Sequence, residues 1–111
     1  MGTDAPGTGA VAGFTTHREI QALLNCGIPL PDVLRISSWN GAQFLQQSLG
    51  LGNGFGAIRE NWRADLVLLE DNPLASAENL MHIAGVMARG RWRSSANLAT
   101  RIEAIARSYF K

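Results

Sequence analysis

The stretch Leu49-Gly50-Leu51-Gly52-Asn53-Gly54 constrains this chain more than any other feature. Three glycines and an asparagine in six residues favour turns and oppose a continuing helix. Before the stretch, apolar residues recur at helical spacing; after it, short runs of strand character take over. The main boundary is expected in this linker, and the fold class is expected to be mixed α/β.

Residues 1–13 (MGTDAPGTGAVAG) read as a glycine-rich loop with a single acidic residue, Asp4. A helix should follow. Thr16 fits an N-cap with Glu19 three residues on, the capping-box spacing in which each side chain satisfies the other's free backbone N–H. Ile20, Leu23 and Leu24 then share one face, and Gly27 stands where a left-handed C-terminal residue belongs. Pro31 suits the first turn of a second helical segment, since its missing N–H costs nothing there. Val33, Leu34, Ile36, Ala42, Phe44 and Leu45 supply the buried face of one or two helices, with a break expected near Ser38-Trp39.

In the second half, Phe55-Gly56-Ala57-Ile58 reads as a short strand. Ala64–Glu70 (ADLVLLE) has little polar alternation, so a strand covered on both faces is expected there, ended by Asp71-Asn72-Pro73. A helical turn is expected near Ala77–Leu80. Ile83–Ala88 and Arg91-Trp92-Arg93 flank Arg89-Gly90, the pattern of a tight hairpin. From Ser95 onward, Leu98, Ile102, Ile105, Ala106 and Tyr109 recur at the spacing of an amphipathic terminal helix.

Composition narrows the function. The 111 residues carry 10 Lys and Arg against 9 Asp and Glu, a net charge of +1, with 17% charged and 46% apolar residues. That balance argues against nucleic-acid binding, which needs a clustered basic surface, and against a polybasic membrane patch. No apolar run approaches the roughly 20 residues of a bilayer-spanning helix, and the first residues lack the pattern of a signal peptide. Cys26 stands alone, so an internal disulfide and a cysteine zinc site are excluded.

Several residues could carry chemistry. Asp4, in its glycine-rich setting, reads either as a carboxylate at the mouth of a strand or as a solvated turn residue. His17, at the start of the first helix, reads as a substrate contact near Asp4 or as a first-turn helix residue. Glu19 is most simply the capping-box acceptor, His82 a structural histidine, and Asp65 an acceptor for nearby backbone donors. Trp39, Trp62 and Trp92 are not spaced as a base-stacking platform, so packing is the expectation for them.

The order of segments adds a resemblance. Gly2-Thr3-Asp4 precedes a Gly13-Phe14-x-x-His17-x-Glu19 helix and a Gly27-Ile28-Pro29-x-x-x-Val33-Leu34 helix. Ala64-Asp65-Leu66-Val67-Leu68-Leu69-Glu70-x-Asn72-Pro73-Leu74 follows, then Val86-Met87-x-x-Gly90-x-Trp92. This series, over residues 2 to about 94, resembles the C-terminal end of the metal-dependent amidohydrolase superfamily, in particular the branch close to imidazolonepropionase and Xaa-Pro dipeptidase-like enzymes. The resemblance implies the last βα unit of a (β/α)₈ barrel over residues 1–50. Over 51–94 it implies strands of a small accompanying β-sandwich, and residues 95–111 add a C-terminal helix. It also implies that Asp4 binds a divalent metal, zinc by preference, and takes a proton from the attacking water, with a small amide or dipeptide-like molecule as substrate.

The family's remaining metal ligands, a His-x-His pair and further histidines, have no counterpart here. Nor can 111 residues close a barrel of roughly 200 or more. The chain is therefore expected to be the terminal part of a longer hydrolase, incomplete and inactive alone, holding no metal by itself. Apolar residues of its helices, Leu23, Leu24, Leu34 and Phe44, would lose their cover, so self-association is expected. The competing expectation is a non-catalytic oligomerising module that keeps only the family's packing. A cytoplasmic location goes with either.

Overall fold

The computed structural model describes residues 1–3, 5, 7, 9–50 and 54–109. Helices and a small antiparallel sheet share the chain, in two compact units, Met1–Arg59 and Glu60–Lys111.

The first unit is helical. Helix α1 runs Phe14–Asn25, α2 Leu30–Arg35 and α3 Gly41–Leu49. The expected capping box is not formed. Helix α1 starts earlier, with Gly13 at the N-cap position, which places Thr16 inside the helix and leaves Glu19 for another partner. The C-terminus follows expectation: Gly27 has φ +83°, its N–H donates to Leu24 O (2.9 Å), and that of Ile28 donates to Leu23 O (3.2 Å). This pair of bonds is a Schellman motif, which satisfies two carbonyls the helix end would otherwise leave open.

Pro31 sits in the first turn of α2, with Asp32 beside it and Arg35 in the last turn, both signs suited to the helix dipole. Between α2 and α3 the expected break takes the form of a π-helical turn, Ile36–Asn40, within which the chain stays helical. The hydroxyls explain the widening. Ser37 Oγ donates to Val33 O (2.7 Å) and Ser38 Oγ to Leu34 O (2.8 Å), competing for carbonyls that helical N–H groups would use.

Each helix gives one side chain to a small core: Ile20 from α1, Val33 from α2 and Ala42 from α3. The expected strand over Phe55–Ile58 does not form. Gly54 and Gly56 both have positive φ (103° and 93°), which breaks the pleat and turns Gly56 onto Ala42. Beyond it, the Arg59 guanidinium lies 5.6 Å from the centroid of the Trp39 ring.

The second unit is a three-stranded antiparallel meander, β1 (Leu66–Leu69), β2 (Ile83–Ala88) and β3 (Arg91–Ser94), followed by α4 (Ser95–Tyr109). A 3₁₀ turn, Ala77–Met81, lies between β1 and β2. The connection is pinned by side chains: Asn72 Oδ1 accepts from Leu74 N–H (3.0 Å), and Ser76 Oγ caps the turn through Glu78 N–H (3.2 Å). The β2–β3 hairpin is as tight as expected. Arg89 (φ 49°) and Gly90 (φ 76°) form its two-residue turn, whose positive φ values match the twist of the flanking strands.

Strand β1 departs from expectation in its cover. Val67 is 57% exposed and Leu68 55%, and neighbouring strand residues point to opposite faces. Both faces of β1 therefore stand open in this chain, although its composition suits a strand with a layer on each side. Helix α4 forms as expected, with Ile102, Ile105 and Tyr109 exposed along its apolar face. In the first unit Phe44 is exposed, while Leu23, Leu24 and Leu34 are half-buried. The chain exposes 8405 Å² in all. Two separate compact globules of half its mass would together expose only about 7,200 Å². None of the described helices is long and apolar enough to cross a membrane.

Candidate functional site

Asp4, the expected metal ligand and proton acceptor, lies outside the described residues. The residues before it are tied to the helical unit at two points. The backbone N–H of Gly2 donates to Glu19 Oε1 (3.1 Å), and Ser37 Oγ lies 3.4 Å from Met1 Sδ. Further along the loop, Ala10 N–H donates to Gly7 O (2.9 Å), and Thr15 Oγ1 bonds back to both the N–H and the carbonyl of Val11 (2.9 Å each). Local polar bonds therefore shape the loop as it enters α1.

Glu19 is half-buried on α1, and its second oxygen, Oε2, is buried without a hydrogen-bond partner among the described residues. Its contact with Gly2 spans 17 residues and has no local sequence signal, which is why the spacing to Thr16 suggested a cap instead. His17, the expected substrate contact, is also half-buried on α1. Two positions from Glu19, it lies on a different side of the helix, so the two do not form a pair. Among the described residues, no group of three or more His, Cys, Asp or Glu side chains is placed to hold a metal ion. A catalytic zinc asks for about three protein ligands. The described side chains do not fit such a centre by themselves.

In the second unit, a hollow of about 790 Å³ opens at the hairpin end of the sheet, with Arg63, Asp65, Arg89 and Arg91 around Val67 and Val86. Asp65 organises its rim. The N–H of Arg89 donates to Asp65 Oδ1 (2.7 Å), Arg63 Nε pairs with Oδ2, and Gly90 N–H donates to Ala64 O (3.0 Å). The start of β1 is thus clasped to the hairpin turn, and the expected backbone donor for Asp65 is Arg89. His82 Nδ1 lies 2.9 Å from Asp71 Oδ2, and its carbonyl accepts from Glu70 N–H (2.8 Å), which fits the expected structural role.

The Arg89 N–H, reinforced by the Arg63 guanidinium, holds the Asp65 carboxyl below its ordinary pKa. A depressed folded-state value means the clasp contributes fully above the unfolded pKa and is lost as pH falls through the folded one. Asp65→Asn should therefore lower the thermal midpoint of the chain at about pH 7. The gap to the parent chain should narrow as pH falls below the ordinary carboxylate range. A gap equally wide on both sides of that range would show that the carboxylate's charge does not matter to the clasp.

Comparison with known proteins follows the same span as these elements. The family model described as "Amidohydrolase family" matches residues 1–93. No curated protein and no solved structure matches.

Proposed function

This chain belongs to the amidohydrolase family, and on that premise we propose that it is the C-terminal part of a metal-dependent hydrolase of carbon–nitrogen bonds, in the branch close to imidazolonepropionase and Xaa-Pro dipeptidase-like enzymes. The observation that carries this reading is the reach of the family match. It runs from the Gly2-Thr3-Asp4 loop through all three helices of the first unit and into β3. In this reading residues 1–50 are the end of the barrel, 51–94 are sandwich strands and 95–111 are a terminal helix.

Asp4 is the residue through which this chain joins the chemistry. A carboxylate there suits a divalent cation, zinc by preference, and can take a proton from an attacking water. His17 is the substrate contact, for a small amide or dipeptide-like molecule. Since the described side chains do not complete a metal centre, the remaining ligands come from a longer protein or from a partner chain. No step of hydrolysis is assigned to this chain alone. The protein works in the cytoplasm.

A second reading applies to the chain by itself: a non-catalytic module that oligomerises. Exposed Phe44, Val67, Leu68 and Ile102 favour it, since uncovered apolar side chains in such number invite association. Metal and activity analysis of the segment joined to a polypeptide that supplies the remaining ligands separates the two. Bound zinc and amide hydrolysis there, both lost in Asp4→Asn, support the catalytic reading. Zinc and hydrolysis indifferent to Asp4→Asn, with chains that run as oligomers in light scattering, support the second.

A further inference from the structure

We propose that the open edge of β1 is a self-association surface, on which a second copy of this chain pairs its own β1 antiparallel about a two-fold axis at Val67. The proposal rests on the oligomerising reading above and names its interface.

The order β1-β2-β3 leaves β1 at an edge of the sheet, and no described strand pairs with its other side. Which backbone groups face that side follows from the hairpin. Ala88 and Arg91 close the turn, so Ala88 and Val86 bond toward β3 while Met87 and Gly85 bond toward β1. Their partners there are Leu66 and Leu68. At the far end of β1, Glu70 N–H donates to His82 O (2.8 Å), which keeps the same alternation. The N–H and C=O groups of Val67 and Leu69 therefore point away from β2. Edge strands are ordinarily guarded by a charge, a proline or a bulge. Leu66–Leu69 (LVLL) has no charge and no proline, and the register shift at Leu68/Leu69 is taken up by an extra residue in β2, Ala84. Such an edge is a template for another strand.

A second copy fits this edge by charge. Arg63 precedes β1, whereas Glu70 and Asp71 follow it, and antiparallel pairing brings unlike ends together. Outward-pointing residues must face outward-pointing residues, so the axis passes through a residue and not between two. With the axis at Val67, that residue faces its own copy and Leu66 faces Leu68. Leu69 then falls opposite Asp65, Glu70 opposite Ala64 beside the hairpin turn, and Asp71 opposite Arg63. A guanidinium is a fork of several donors, which suits it to bridge Asp65 and the other copy's Asp71. Moving the axis to Leu68 sets Asp65 against Asp71, and like charges directly opposite are destabilising. Moving it to Leu66 sets Val67 against Asp65 and Leu68 against Ala64, which breaks up the apolar centre. The Val67 register alone keeps that centre and sets acid against base at both ends. It also gives cover to Val67 and Leu68, the exposed pair on opposite faces of β1.

The test is sedimentation equilibrium of the 111-residue chain and its variants. The parent chain is expected to be a dimer. Val67→Pro removes an outward N–H and leaves the β1–β2 ladder intact, as proline on an edge strand can. It should keep the parent's circular dichroism and raise the dissociation constant by about tenfold or more, since the symmetric pair loses its two hydrogen bonds. Glu70→Lys, whose backbone bond to His82 is unaffected, should raise it roughly fivefold at low salt and less at high salt. Register is read by oxidation in a Cys26→Ala background: Val67→Cys should cross-link to its own copy, and Leu69→Cys, opposite Asp65, should not. Cross-linking that favours Leu69→Cys overturns the register and with it the proposal. Oligomers indifferent to both Val67→Pro and Glu70→Lys overturn the β1 interface and leave the oligomerising reading standing. A parent chain that is monomeric at every concentration overturns that reading as well, and assigns the edge to a strand of another polypeptide.

Discussion

Replacing Gly56 with alanine is expected to cost the helical unit roughly 2–5 kcal/mol, enough to unfold it in part at ordinary temperature. Two penalties act together. The backbone there has φ 93°, where an L side chain costs about 1–2 kcal/mol. An added Cβ would also stand 2.3 Å from the Cβ of Ala42, which is only 4% exposed. Neither atom can rotate away, because each is fixed to its own backbone, and overpacking of this kind costs about 1–3 kcal/mol. A unit of this size, with Val33 its one fully buried side chain among the described residues, has little stability to lose. Gly27→Ala is the internal control: it also sits at positive φ (83°) but meets nothing within 4 Å. Urea unfolding followed by helical circular dichroism should rank Gly56→Ala as the more damaging, with the difference reporting the contact. Equal losses would mean that the segment after α3 does not pack on Ala42.

That contact also shows where the sequence stopped being legible. Helix ends and turns could be read because their signals are local: Gly27 closing α1, Pro31 opening α2, Arg89-Gly90 closing the hairpin. Phe55–Ile58 could not. Its apolar residues suggest a strand, and only the distant Ala42 accounts for a glycine bent against it. Glu19 was misread for the same reason, since a plausible local partner, Thr16, concealed a partner 17 residues away. At Ser38-Trp39 the disturbance was legible but not its form, because hydroxyl competition for carbonyls widens a helix as readily as it ends one.

The candidate site divides along the same line. Nothing in residue spacing singles out Asp4 from a turn aspartate; its reading as a metal ligand comes only from the resemblance, and the family match spans residues 1–93. Strand β1 was legible as a strand made for burial, yet Val67 and Leu68 are exposed on its opposite faces. A pattern of apolar residues records what an element is suited to pack against. It does not supply the layer, and among the described residues none covers Val67 or Leu68 fully.

The sheet makes a comparably large demand at Gly85, where alanine is expected to cost about 2–3 kcal/mol of the second unit's stability. Glycine in the centre of a strand is ordinarily a weakness, so its presence in β2 calls for a reason. The reason is Trp92. A Cβ at Gly85 would lie 2.3 Å from Cζ2 and 2.4 Å from Cη2 of the indole, and 2.8 Å from the carbonyl oxygen of Arg93. The indole, nearly half exposed, can swing outward; the carbonyl cannot move without opening the β2–β3 ladder, in which Gly85 pairs with Ser94. Gly85→Ala should therefore lower the thermal midpoint and shift Trp92 fluorescence to longer wavelength, as the ring moves into water. Trp92→Ala in the same background removes the ring and leaves the carbonyl, so a double-mutant cycle apportions the loss. Strong coupling would assign it to the indole, and additive losses would assign it to the ladder. An unchanged midpoint in Gly85→Ala would mean that Trp92 does not lie across β2 at all.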